Sequence, residues 1–259
     1  MSSLKAAFKF ALFFFWSLLI VPTQLILLSF HRGKKAYVIP QLWHKGVCRI
    51  FGIKVKIEGT PLQLQQALYV SNHLSYLDIP VIGTVLKASF VAKKEVASWP
   101  VFGFLSKLQQ TAFIERSRNA AARETGALGT LLNDGKSLII FPEGTSTDGR
   151  EVLPFKSSVF SLSLTEQADL LIQPFTLTME LVNTYPPETQ ELRDLYAWHR
   201  EMDTELPSHL WRFAKSKGAT ISLHFHPYIK ASDFDDRKTL AKHCHETVCM
   251  KTETNKKAA

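Results

Sequence analysis

The chain is short of the residues that would mark a secreted, disulfide-stapled protein. Among 259 residues there are 3 cysteines, Cys48, Cys244 and Cys249. So odd and sparse a set builds no disulfide framework and points to a reducing compartment. His243, Cys244, His245 and Cys249 stand close together, but no CxxC pair lies elsewhere to complete a zinc site, so no metal is expected and the segment reads as part of a last helix. Acidic side chains are also in deficit: 23 Asp and Glu stand against 31 Lys and Arg, for a formal net charge of +8. That balance suits an anionic partner. Helix-turn-helix, RRM and finger patterns are missing, and basic residues crowd the apolar N-terminus, which favours acidic lipid over nucleic acid. There is no internal repeat, no long linker and no G-x-S-x-G elbow, which argues against a serine hydrolase built on Ser146 or Ser157.

Apolar surface is what the chain has in plenty. Hydrophobic residues make up 46% and aromatics 11%, enough for one full core. The most apolar run is Phe8 to Phe30, preceded by Lys5 and Lys9 and followed by His31, Arg32, Lys34 and Lys35. It is long enough to cross a hydrocarbon layer of about 30 Å. The sequence SFHRGKK follows it instead of a small-residue cleavage site, so it is expected to be retained. Pro22, Thr23 and Gln24 interrupt it. A second run, Tyr37 to Phe51, places Val38, Leu42, Val47 and Ile50 near helical spacing. Two readings stay open. The first helix spans, with the heavier basic flank setting the remainder in the cytoplasm; or both helices lie in one leaflet. Either way the globular part is expected on the cytoplasmic membrane face, with Lys5, Lys9, Arg32, Lys34 and Lys35 toward anionic headgroups. The expected division is 1–52 for membrane-anchoring helices, 53–252 for an α/β domain and 253–259 for a disordered tail.

Beyond residue 52, strand-like runs alternate with helical ones. IKVKIEG, ALYVSN, ASFVAKKE, TAFIERS, KSLIIFPEG, LLIQPFTLTME and TISLHFHPYI read as extended; NAAARETGALGTLLNDG, FKSSVFSLSLTEQA and a segment from Asp235 read as helical. This predicts an α/β domain, a mixed sheet flanked by helices. Ligands in such folds gather where strands end. Three polar clusters fall there: Asn72-His73, Glu115-Arg116 and Glu143-Gly144-Thr145.

His73 and Asp78 stand in SNHLSYLDIP, directly after the apolar ALYV. On a regular helix five positions turn about 500°, which would separate the two side chains. They meet only if His73 lies in the turn before a helix and Asp78 in its first turn, where a carboxylate is welcome. The carboxylate would then fix the imidazole tautomer and leave the other ring nitrogen to take a proton. For an isolated HxxxxD, a helix cap with a surface histidine is the plainer alternative. For FPEGT it is an ordinary turn.

Together and in this order, NHxxxxD (Asn72, His73, Asp78) and FPEGT (Phe141 to Thr145) resemble the glycerolipid acyltransferase family of the lysophosphatidic acid acyltransferase, or PlsC-like, type. The resemblance covers residues 65 to 180 and includes VAKKEV, WPVFG, FIERS, PFKSSVF and LIQPFTL. It implies a membrane-bound acyltransferase that needs no cofactor. The acyl group would pass from acyl-CoA or acyl carrier protein directly to a lysolipid hydroxyl. His73 would be the general base and Asp78 its orienting partner. A backbone N–H near Gly144 would stabilise the oxyanion. Asn72, Glu143 and Thr145 would shape the acceptor site. Arg116 would hold the acceptor phosphate, with Lys93 and Lys94 as further phosphate candidates. The chain departs from the family at Glu115, where aspartate is usual, in the QPF of LIQPFTL, where a small apolar residue usually precedes the proline, and at Ser146-Thr147-Asp148, where an arginine often follows Glu-Gly-Thr. Lysophosphatidic acid is thus the leading acceptor and a lyso-ornithine lipid its competitor.

Overall fold

The computed structural model describes residues 2–31, 33–114, 129–160 and 170–258. Its first element, α1, is one helix from Ser2 to Phe30 that carries Pro22 inside it. By length and composition it is apolar enough to cross a membrane. The second is α2, Val38–Phe51, which buries Pro40, His44, Val47, Cys48 and Phe51; of the residues expected at helical spacing only Val47 is buried, while Val38 and Leu42 are exposed. It ends where Gly52 turns left-handed (φ 80°). That turn brings the Gly52 carbonyl so close to Gly218 that a side chain on Gly218 would meet it at 2.0 Å. Glycine is needed on both sides of this contact, which sets β1 beside β7.

The strands are β1 (Ile53–Glu58), β2 (Ala67–Ser71), β3 (Ser89–Lys93), β4 (Ala112–Ile114), β5 (Leu138–Ile140), β6 (Leu171–Val182), β7 (Ala219–Phe225) and β8 (Ile229–Lys230). They form one sheet in the order β1-β7-β6-β2-β5-β3-β4, with β8 pairing β6. The pairs β2/β5, β2/β6, β3/β5 and β3/β4 are parallel, whereas β6/β7 is antiparallel. The continuous apolar runs of β2 and β5 are buried along their whole length, as parallel strands covered on both faces must be. Edge strand β1 alternates instead. The mixed α/β sheet expected from the sequence is therefore present, with helices α3 (Asp78–Gly83), α4 (Phe102–Leu108), α5 (Gln190–Tyr196), α6 (Leu206–Lys215) and α7 (Arg237–Ala258) around it. The helix α7 continues across 253–258, which composition alone reads as a tail. Its anchored turns bury Leu240, Cys244 and Val248, and propagation from a formed helix costs little.

The N-terminal helix is bolted to the domain along much of its length. Lys9 is buried, and its Nζ donates to the carbonyls of Phe51 and Ser216, both at 3.1 Å. Lys5 donates to Ser216 as well. Trp16 Nε1 donates to the Trp43 carbonyl at 3.2 Å, and Gln24 Nε2 to the carbonyls of Ala36 and Leu108 at 3.0 and 2.9 Å. Lys9 and Gln24 lie about 22 Å apart on a helix rising 1.5 Å per residue. The opposite face carries Phe8, Phe14, Phe15, Leu18 and Ile26, all exposed. Lys9 corrects the sequence expectation: it is buried on the carbonyls at the ends of α2 and α6, which attract cations, whereas Lys5 is exposed beside the Ser216 carbonyl. Arg32 lies outside the described residues.

Replacing Lys9 by Met should remove the donor to two helix-end carbonyls and lower unfolding free energy by about 1–3 kcal/mol. Lys35→Met, at an exposed position, should leave it unchanged. Urea unfolding of both variants in detergent checks the difference.

Candidate active site

Parallel pairing of β2 with β5 puts their C-terminal ends at one edge of the sheet, and with them the segments after Ser71 and Ile140. After Ser71 the chain leaves β2 through Asn72, whose side-chain amide acts as one more strand residue. Its Nδ2 donates to the Leu177 carbonyl at 3.0 Å and its Oδ1 accepts the Leu177 N–H at 2.8 Å. Asn72 is 2% exposed. Expected beside the acceptor, it is instead committed to β6 and aims the turn that follows.

That turn brings His73 and Asp78 together. Nδ1 of His73 is 2.8 Å from Oδ2 of Asp78, the first residue of α3. The same oxygen accepts the N–H groups of Leu74 and Ser75 at 2.7 and 2.9 Å, and Oδ1 accepts the Tyr196 hydroxyl at 3.0 Å. Asp78 is 0% exposed, so every bond it makes is to protein. A carboxylate acceptor requires the proton on Nδ1 and leaves Nε2 as the basic nitrogen. The imidazole side chain is 21% exposed and stacks on Phe141 at 4.1 Å between ring centroids. Nε2 meets no hydrogen-bond partner among the described residues.

The turn after β5 grips His73 from the other side. Glu143 is 2% exposed. Its Oε1 accepts the His73 N–H and its Oε2 the Leu153 N–H, each at 2.7 Å. Burial pushes its carboxyl up to about 8, against the pull of those two N–H groups. Thr147 N–H donates to the His73 carbonyl at 2.9 Å. Both Glu143 oxygens are thus spent on backbone, which makes it a positioning residue for His73. Gly144, left-handed at φ 75°, donates its N–H to the Phe141 carbonyl at 3.0 Å, which closes the turn. The next two N–H groups, of Thr145 and Ser146, meet no acceptor among the described residues.

The remaining candidates divide. Lys93 and Lys94 are exposed at the end of β3, on the same sheet edge but separated from β2 by β5. Arg116 and Glu115 lie outside the described residues. Sequence reasoning missed Tyr196, 118 positions from Asp78. A lone tyrosine near the end of a short helix carries no local signal of such a contact.

Beside the pair, an apolar cavity of about 170 Å³ runs between α1, α2, α3, α4 and α6. Tyr76 and Leu77, from the turn between His73 and Asp78, line it together with Trp43, Val47, Phe102 and Leu105. His44 lines it too. Its Nε2 is 2.9 Å from Gln109 Oε1, and full burial pulls the ring down to about 4, so it stays neutral.

Comparison with known proteins follows the same lines. Residues 54–178 match the family model described as Acyltransferase. The chain is 37% identical over 209 residues to a lyso-ornithine lipid O-acyltransferase of Rhodobacter capsulatus, covering 78% of this chain and 72% of that one. It is 32% identical over 232 residues to the protein of the same name from Brucella abortus, covering 87% and 85%. A 1-acyl-sn-glycerol-3-phosphate acyltransferase of Neisseria meningitidis is 32% identical over 208 residues, covering 79% and 76%. The crystal structure of the 1-acyl-sn-glycerophosphate (LPA) acyltransferase PlsC from Thermotoga maritima shares the fold, with a TM-score of 0.67 at 21% identity over 99% of this chain and 98% of that one.

Glu143→Gln should set an amide NH₂ against one of the two backbone N–H groups, at a cost of about 1–3 kcal/mol for the buried donor left unmet. The raised pKa makes this loss pH-dependent. The Glu143 carboxyl favours the folded state fully below its unfolded value of 4.5, and that contribution is lost as pH rises through about 8. The stability gap between wild type and Glu143→Gln should therefore narrow over that range, as read by urea unfolding at a series of pH values.

Proposed function

This chain belongs to the acyltransferase family, and from that premise we propose that it moves a fatty acyl group from an acyl thioester to the free hydroxyl of a lysolipid at a membrane surface. The observation that carries the reading is the His73–Asp78 pair: Nδ1 held at 2.8 Å by a buried carboxylate, with Nε2 unengaged. In this reading Nε2 takes the proton of the acceptor hydroxyl as its oxygen attacks the thioester carbonyl. Asp78 holds the tautomer and stabilises the imidazolium that forms. The tetrahedral intermediate collapses, the C–S bond breaks, and the carrier leaves as a thiol with the proton returned from His73. The product is an ester, and no acyl-enzyme is formed. The N–H groups of Thr145 and Ser146 supply the oxyanion donors. The donor is acyl-CoA or acyl carrier protein, and its chain enters the apolar cavity beside Leu77.

The acceptor we favour is a lyso-ornithine lipid, which reverses the order expected from the sequence. The relatives from Rhodobacter and Brucella carry that name, and Ser146-Thr147-Asp148 stand where a phosphate-binding arginine is usual. Lysophosphatidic acid is the second reading, supported by the Neisseria relative. Arg116 remains the headgroup cation proposed from the sequence, and Lys93 and Lys94 are distant alternatives. The proposed membrane site is one leaflet of the cytoplasmic face, with α1 and α2 lying flat. Ties from Lys9 to Gln24 hold α1 against the domain, which supports this over a helix leaving it.

Purified enzyme, offered a panel of lysolipids with acyl-CoA and acyl carrier protein and read by product mass, should acylate lyso-ornithine lipid fastest. His73→Ala should keep its melting transition and lose about 10²- to 10⁴-fold in kcat. Wild-type turnover by the folded variant would end the mechanism.

The exposed face of α1 offers a separate check. Phe15→Gln with Leu18→Gln changes side chains that are 60% and 71% exposed. The fold should survive, while co-sedimentation with anionic vesicles should fall. Unchanged vesicle binding would remove α1 from the membrane surface.

A further inference from the structure

One cation outside the matched family segment touches the active-site loop and pairs with no carboxylate among the described residues, with Asp148 acting on it only from beyond ion-pair distance. Arg193 lies on α5, beyond the last matched residue at 178. Its Nη1 donates to the Asp148 carbonyl at 3.3 Å. The Asp148 carboxylate is turned elsewhere, to Arg150 Nε at 3.4 Å. That of Asp194 is taken by Gln190 and His199 at 2.7 and 3.3 Å. Among the described residues no carboxylate oxygen lies within 4.0 Å of the Arg193 guanidinium. Its Nε is buried and has no hydrogen-bond partner among the described residues. Burial also lowers its pKa from the usual guanidinium value, a sign of charge only partly compensated by protein. A half-buried guanidinium holding one carbonyl is short of the charge-assisted acceptors that normally accompany it.

Its position is fixed. Tyr196, one turn further along α5, bonds to Asp78. Trp198 N–H donates to the Leu74 carbonyl at 3.0 Å, and Ser146 Oγ donates to the Trp198 carbonyl. Thr147, directly before Asp148, holds the His73 carbonyl. A side chain on Gly149 would come within 3.8 Å of Arg193 Nη1 and 3.1 Å of Leu74, so the guanidinium and the residue after His73 share one corner. The same loop carries Ser146-Thr147-Asp148 in place of the arginine that the resemblance leads one to expect.

We propose that Arg193 is a headgroup site: its remaining N–H groups bind the oxyanion of the acceptor lipid, doing from α5 what a loop arginine would do after Thr145. This rests on the reading of the chain as a lysolipid acyltransferase. The shared chemistry is a carboxylate or phosphate oxyanion, which the planar guanidinium fork accepts from either headgroup.

The test compares wild type, Arg193→Gln and Arg193→Lys with one acyl donor and three acceptors of matched chain: lyso-ornithine lipid, lysophosphatidic acid and monoacylglycerol, which has no anion. Arg193→Gln should lose about 10- to 100-fold in kcat/KM on the anionic acceptor that wild type prefers, through acceptor KM, as loss of a charge-assisted bond implies. Donor KM and turnover of monoacylglycerol should stay near wild type, and Lys should recover part of the loss. A loss confined to lyso-ornithine lipid assigns the carboxylate, and one confined to lysophosphatidic acid the phosphate; both support the site. Equal loss on all three acceptors, or none on the anionic two, overturns it. If wild type does not use monoacylglycerol, a raised acceptor KM with kcat kept supports the site, and a fallen kcat with KM kept overturns it. Should Arg193→Gln fail to melt cooperatively, Arg193→Lys is read by the same criteria. Wild type inactive on every lysolipid defeats the acyltransferase reading itself, an outcome distinct from any of these.

Discussion

The structure turns on the carboxylate of Asp78. It is wholly buried and, among the described residues, meets no Lys or Arg, so it must be satisfied by hydrogen bonds. Four donors do so: His73 Nδ1, the N–H groups of Leu74 and Ser75, and the Tyr196 hydroxyl. Each donor fixes a different part of the molecule. The two backbone groups fold the turn, the imidazole gains its tautomer, and Tyr196 pins α5 on top. A single buried carboxylate therefore shapes the turn after β2, begins α3 and orients the imidazole. An amide in its place would offer one acceptor oxygen where two are used, and its NH₂ would oppose a donor.

The imidazole is held from two sides, and topology explains how. β2 and β5 are adjacent and parallel, so the segments that leave them emerge at the same edge. The first carries the HxxxxD turn; the second carries Glu143 and Thr147, which hold the N–H and the carbonyl of His73. The backbone of His73 is clamped by one loop and its side chain by the other. Gly144 is needed because this return path passes through φ 75°. In the proposed mechanism, a base placed this way would need no rearrangement before it acts.

Much of this was legible in the sequence, and the limits have physical causes. ALYV and SLII carry their own signal, because strands buried on both faces are continuously apolar. The HxxxxD spacing supplied a geometric condition, a turn before a helix, and the structure meets it. What could not be read depends on long-range contacts of single polar residues. Tyr196 and Arg193 sit on a short helix that the hydrophobic pattern does not announce. Lys9 looked like a flank of an apolar helix, and only the ends of α2 and α6, far along the chain, give it a partner. Asn72 and Glu143 were found as residues but not as roles, since burial decides that both serve backbone.

The N-terminal helix presents two different faces. One face carries exposed Phe8, Phe15 and Leu18; the other places Phe13, Ile20 and Gln24 in the wall of the cavity that reaches Leu77. Lys9, Trp16 and Gln24 hold the inner face by hydrogen bonds to backbone carbonyls. These bonds are indifferent to lipid, whereas apolar contacts alone would not distinguish the protein interior from a bilayer, both being free of water. The polar ties give the helix a fixed rotation, and that rotation decides which side chains face outward and which meet the cavity. In the proposed setting, with α1 lying in a leaflet, the same helix would stand between bilayer and cavity. An acyl chain entering the cavity on that reading would remain in an apolar medium up to Leu77, in the turn that holds His73.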